Sequence, residues 1–265
     1  MNGFDFPSIS PIIFSIGGFS LRWYSMAYLA GIVAAWILVW RTIKKYSLPI
    51  SRQQLEDAVF FTTLGIILGG RLGYVLFYGE SYFWHNPLQI LAIWRGGMSF
   101  HGGAIGAVLG LWYVSYSRKI SFWMLTDLAA LFAPIGLFLG RVANFVNDEL
   151  WGRVTTVPWA VKFPNGGYLP RHPSQLYEAF TEGLCLFVIL NLLWQNEKFR
   201  KRRGAASVVF VLLYTFFRFF IEYFRQPDEQ IGFLWLGLTM GQILSFPIFV
   251  FGICLLLRFY FKPLK

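Results

Sequence analysis

Residues 23–40 read WYSMAYLAGIVAAWILVW, a run of 18 residues without one charged side chain. A hydrocarbon core roughly 30 Å thick takes about 20 apolar residues of helix, so a run of this kind fits a membrane span. Working outward along the chain, comparable apolar stretches lie near residues 20–40, 56–78, 98–116, 122–141, 176–195, 205–224 and 236–258. The composition agrees, with 56% hydrophobic, 20% aromatic and 14% charged residues. Globular domains carry about 25% charged residues. The pattern predicts an all-α polytopic membrane protein of about seven transmembrane helices, organised as a single domain over 1–265.

The net charge of +10 raises nucleic acid as a partner, and the placement of the charges argues against it. Fourteen of the 23 Lys and Arg residues fall on one side if the amino terminus is outside: Arg41, Lys44, Lys45, Arg52, Arg118, Lys119, Lys198, Arg200, Lys201, Arg202, Arg203, Arg258, Lys262 and Lys265. They sit in short loops, where positive charge marks the inner face. The expected topology is therefore an outer amino terminus and an inner carboxyl terminus, with the basic balance explained by orientation. Met1 to Ser10 hold no Lys or Arg and so lack the basic start of a cleavable signal peptide.

Between the expected fourth and fifth helices, residues 142–173 form one long outer loop with Pro158, Pro164, Pro170, Pro173 and Asn165-Gly166-Gly167. Turn residues at this density stop helices, and loops of this length tend to carry function. Glycines recur every fourth residue at Gly65, Gly69 and Gly73, at Gly102, Gly106 and Gly110, and at Gly136 and Gly140. Such small-residue faces allow close helix packing. Cys185 and Cys254 show no metal-ligand spacing and read as small buried apolar residues.

The polar residues at helix ends are the informative ones. In the expected topology Arg22, Tyr24, Arg71, His101, Arg141, Glu178, Glu182, Arg218, Glu222 and Gln242 all lie in the outer half. A charge in the hydrocarbon region costs about 2.5–3.5 kcal/mol, so these groups should face inward and pair or bind a charged guest. Tyr214, Arg218 and Glu222 share one helical face. Their plain alternative is an intrahelical Arg218–Glu222 pair beside an interface aromatic; for Arg71 and Arg141 it is snorkelling to the headgroups. Three arginines in one layer suit a phosphate better, because guanidinium grips it bidentately. His101, at a helix start before Gly102-Gly103, is either an interfacial hydrogen-bonding group or a proton acceptor. His85 and His172 adjoin prolines in loops and are weaker candidates.

The segment Gly140-Arg141-Val142-Ala143-Asn144-Phe145-Val146-Asn147-Asp148-Glu149-Leu150-Trp151-Gly152-Arg153 resembles the signature of the prolipoprotein diacylglyceryl transferases. The resemblance extends to Arg22-Trp23-Tyr24, Gly70-Arg71-Leu72-Gly73-Tyr74, His101-Gly102-Gly103, His172-Pro173-Ser174-Gln175-Leu176-Tyr177-Glu178-Ala179, and Arg218-Phe219 with Glu222 and Arg225-Gln226-Pro227-Asp228. Ala143 and Asp148 depart from it, standing where glycine is usual.

The resemblance implies transfer of the diacylglyceryl group of phosphatidylglycerol to the thiol of a lipobox cysteine in a prelipoprotein signal peptide, with release of glycerol phosphate. It implies a bacterial inner (cytoplasmic) membrane location, a site toward the periplasm and no metal or organic cofactor. Within it, His101 is expected to accept the thiol proton, and Arg141 and Arg218 to hold the phosphate and stabilise the leaving group. Asn144 and Glu149 would position the headgroup or the arginines, Glu222 would orient Arg218, and Tyr24 and Tyr214 would line the site. Gly152 and Arg71 complete the expected substrate-binding set. A transporter or channel for an anionic solute or lipid headgroup would also place arginines in a polar cavity. An inverted repeat would favour it; the sequence shows none, and seven helices do not halve evenly.

Overall fold

The computed structural model describes residues 3–7, 9–17, 19–78, 82–227 and 232–261. Met1, Asp228, Lys262 and Lys265, named above, lie outside the described residues. The chain is mostly helical, and every expected span carries a helix: α1 (Trp23–Lys45), α2 (Arg52–Tyr78), α3 (Phe100–Arg118), α4 (Phe122–Val146), α5 (Ser174–Gln195), α6 (Ala205–Ile221) and α7 (Met240–Phe261). Five are long and apolar enough to cross a membrane, namely α1, α2, α4, α5 and, over Met240–Arg258, α7. With α6, shorter but apolar, they make a multi-pass membrane protein. The chain divides into two compact units, residues 36–126 and residues 1–35 with 127–265.

In the first unit α2 and α3 pack through their glycine faces. A Cβ at Gly65 would strike the carbonyl of Gly106, one at Gly69 that of Gly102, and one at Gly110 that of Phe61. Only glycine permits this approach. Ser51 and Gln54 cap α2 reciprocally, the Gln54 N–H donating to Ser51 Oγ at 3.2 Å and the Ser51 N–H to Gln54 Oε1 at 2.8 Å. Ser99 caps α3 by accepting the Gly102 N–H at 3.3 Å. Arg118 and Asp57 join the far ends of the pair at 2.7 Å.

In the second unit Gly31 of α1 backs onto Gly136 of α4, and Gly183 of α5 lies against Phe138. Asp127, buried near the start of α4, accepts the N–H groups of Gly204 at 2.7 Å and Ser207 at 2.8 Å, and so anchors the beginning of α6. The middle of α5, Ala179–Cys185, is π-helical.

Two small sheets amend the all-α expectation. Strands β1 (Phe4–Asp5), β4 (Val161–Lys162) and β5 (Pro170–Arg171) pair in the order β1-β4-β5, and β2 (Ile12–Ile16) pairs with β3 (Phe19–Arg22). Two-residue strands are too short for a period-two signal, and Ile12–Ile16 is mostly apolar and does not alternate regularly. Asp148, one of the two departures noted from sequence, has φ 54°, a left-handed conformation that favours glycine. Aspartate tolerates it here because its carboxylate accepts the Asn165 N–H at 2.7 Å. Burial pushes the Asp148 carboxyl up, and this bond opposes the shift. Ala143 stands in regular helix, where alanine is favourable.

Gly106→Ala is expected to destabilise the α2–α3 pair by roughly 1–3 kcal/mol through overpacking. The check is the thermal midpoint in detergent; an unchanged midpoint would mean that the two backbones are not in contact.

Candidate active site

The second unit gathers charge among its apolar helices. Arg141 projects from the last turns of α4, Glu178 and Glu182 from α5, Arg218 from α6, and Glu222 and Arg225 from the turn that ends it. Glu178 is nearly fully buried and meets three guanidinium groups, with Oε2 2.6 Å from Arg141 Nε and Oε1 3.3 Å from Arg218 Nη1 and 3.5 Å from Arg225 Nη1. Glu222 Oε1 pairs with Arg218 Nη2, and its Oε2 accepts the Thr239 hydroxyl at 2.8 Å. Glu182 lies 3.6 Å from Arg141 and 3.9 Å from Arg218. Tyr214 is in electrostatic reach of both arginines, Glu178 and Glu182, and its ring stacks on Phe210. A cavity of about 30 Å³, room for a water molecule, is lined by Arg218, Glu222, Arg225 and Thr239 among others.

The segment after α4 braces this cluster. Asn144 and Asn147 both donate to Glu149 Oε1, at 2.8 and 3.3 Å. The buried Gln175 donates to the Glu149 carbonyl at 2.7 Å. Gly152 bridges to Arg225, and a Cβ there would collide with the carbonyls of His172 and Phe224, which explains the glycine. Arg153 donates to the carbonyls of Arg225 at 2.9 Å and Glu222 at 3.2 Å. Tyr24 pairs with Tyr28 at 3.2 Å and feels the charges of Glu149 and Arg141. His172 serves the loop: Trp159 Nε1 donates to Tyr177 Oη at 2.6 Å, leaving the hydroxyl proton for His172 Nδ1 at 3.1 Å. Burial lowers the His172 pKa, which suits a neutral accepting ring.

The unit thus unites Arg141, Arg218, Tyr214 and Glu222, the Asn144–Glu149 pair, Gly152 and Tyr24. Arg71 and His101 belong to the other unit. There Arg71 is buried and donates to four carbonyls, those of Gln89 and Gly96 at 2.6 Å, Ile90 at 2.8 Å and Gly97 at 3.1 Å. That set holds the segment leading into α3. His101 is exposed in the first turn of α3, edge-on to Phe100. Glu178 and Glu182, read from sequence as members of the charged outer layer but given no role in the reaction, and Arg225, read there only within the family motif, join the cluster in the structure. Two carboxylates four residues apart in an apolar span, and an arginine seven residues beyond Arg218, were the available signal.

Apolar spans enclosing a balanced set of arginines and carboxylates define a multi-pass membrane protein with a charged centre. A family model described as prolipoprotein diacylglyceryl transferase matches residues 11–258. The chain is 49% identical over 247 residues to the phosphatidylglycerol–prolipoprotein diacylglyceryl transferase of Rickettsia felis, covering 93% of this chain and 95% of that one. It is 47% identical over 249 residues to the same-named protein of Geobacter sulfurreducens (94% and 95%), and 50% identical over 255 residues to that of Allorhizobium ampelinum (94% and 89%). The chain belongs to the prolipoprotein diacylglyceryl transferase family.

Glu178→Gln removes the carboxylate shared by three arginines and leaves buried positive charge uncompensated. The expected loss is about 3–5 kcal/mol of stability, read as a lower thermal midpoint in detergent. A midpoint equal to wild type would show that the arginines are neutralised by other groups.

Proposed function

We propose that this chain transfers the diacylglyceryl group of phosphatidylglycerol to the thiol of a lipobox cysteine in prelipoproteins, forming a thioether and releasing glycerol phosphate. The observation that carries the reading is the arginine centre inside apolar helices: a phospholipid delivers its phosphate from the bilayer to that depth. Family membership favours group transfer over passage of a solute.

In this reading seven helices cross the bacterial inner membrane as one domain, with the amino terminus outside, the carboxyl terminus inside and residues 142–173 on the periplasmic side of the site. Arg141 and Arg218 hold the phosphate and stabilise charge on the leaving oxygen, since preorganised cations act most strongly where water is excluded. Glu222 and Thr239 orient Arg218, while Asn144 and Glu149 position the headgroup. Gly152 permits the close backbone crossing that braces the site, and Tyr24 and Tyr214 line it. Arg71 contributes by holding the segment before α3. His101 takes the thiol proton; a thiol with a pKa near 8.5 is only slightly ionised at neutral pH, so a base raises the thiolate fraction.

Purified protein given labelled phosphatidylglycerol and a lipobox peptide is expected to yield lipidated peptide. No transfer, under conditions where a known transferase works, would refute the activity. In the same assay His101→Gln should lower the rate by about 10²–10⁴-fold, the range for loss of a general base, and a near-normal rate would remove His101 from that role. Arg141→Lys keeps a cation without the planar fork. Loss of one charge-assisted hydrogen bond, about 1.5–3 kcal/mol, should lower kcat/KM roughly ten- to a hundredfold, and full activity would count against bidentate phosphate binding.

A further inference from the structure

The three carboxylates of the cluster are not equivalent. Glu178 has the short contacts to Arg141, Arg218 and Arg225, and Glu222 has Arg218 and the Thr239 hydroxyl. Glu182 is fully buried, neither of its oxygens accepts a hydrogen bond, and its nearest guanidinium nitrogens stand at 3.6 and 3.9 Å. The groups facing it are Arg141 from α4, Glu178 from its own helix, Tyr214 and Arg218 from α6, and Arg225 beyond α6. It sits in the π-helical stretch, whose wider turn sets its position apart from that of regular helix. A buried carboxylate that accepts no hydrogen bond has little to replace the water it lost. Of the three, it gives up least on becoming neutral.

Among the described residues the cluster balances three guanidinium groups with three carboxylates. The phosphodiester of a lipid keeps its negative charge throughout the physiological range, so its entry leaves an excess negative charge in a poorly solvated site. Neutralising one carboxylate restores the balance. We propose that Glu182 takes up a proton from solvent as the lipid phosphodiester enters, offsetting the added negative charge beside Arg141 and Arg218, and returns it when glycerol phosphate leaves. Glu182 is a positioning residue, acting through the arginines without touching lipid or thiol. The inference rests on phosphatidylglycerol being the substrate.

Calorimetric titration of the full-length protein in detergent with short-chain phosphatidylglycerol, in buffers of different ionisation enthalpy from about pH 5 to about pH 9, counts the protons taken up. About one proton per lipid is expected wherever the lipid-free protein holds Glu182 ionised, with Kd rising about tenfold per pH unit there. Glu182→Gln, neutral at every pH, should take up none and show a flat Kd. Lipid-induced infrared difference spectra of the wild type should gain a protonated-carboxyl band, which keeps the test decisive if the variant fails to fold. Zero uptake across the range, uptake undiminished in the variant, or absence of that band would each overturn the proposal. Transfer to a lipobox peptide on the same preparation separates the two readings. Transfer without proton uptake sinks the role of Glu182 alone, whereas neither lipid binding nor transfer sinks the substrate.

Discussion

Glu178 stands between Arg141, Arg218 and Arg225, and much of the second unit follows from that shared carboxylate. An unpaired charge among apolar helices is costly, and each partner removed would strand the others. The cluster therefore fixes where α4 ends, where α5 must present its carboxylates and how the chain leaves α6. The bridge from Gly152 to Arg225 and the bonds from Arg153 to the carbonyls of Glu222 and Arg225 extend the constraint into the segment after α4. Its arginines are held in place by these carboxylates.

Much of this was legible in the sequence, for identifiable reasons. Helices in hydrocarbon must be long and apolar, so their positions stand out, and glycine at every fourth residue announces the close contact seen between Gly65 and Gly106. The short strands leave no such trace because pairing between residues as distant as Phe4 and Val161 is a property of the fold. At the site, Arg141, Arg218, Tyr214 and Glu222 could be picked out as polar groups in apolar spans. The Arg218–Glu222 pair follows from its spacing of four, but the partners of Glu178 could not be read, since Glu178 and Arg225 lie 47 residues apart and meet only in three dimensions. Arg71 shows the opposite limit: a buried arginine reads as an anion site, yet its donors go to backbone carbonyls of the segment that follows.

Asp148 illustrates how a left-handed backbone is tolerated by a residue with a side chain. The left-handed backbone persists without glycine because the side chain supplies a compensating hydrogen bond to Asn165.

Asp127 carries a consequence for biogenesis. The backbone groups that it binds lie 77 and 80 residues later in the chain, at Gly204 and Ser207. During synthesis α4 is complete long before those partners emerge, so its carboxylate must wait in contact with water or headgroups. Only when α6 begins can that end of α4 close over. The order of translation thus sets an order of assembly, with the beginning of α6 acting as the late fastening of a helix made much earlier.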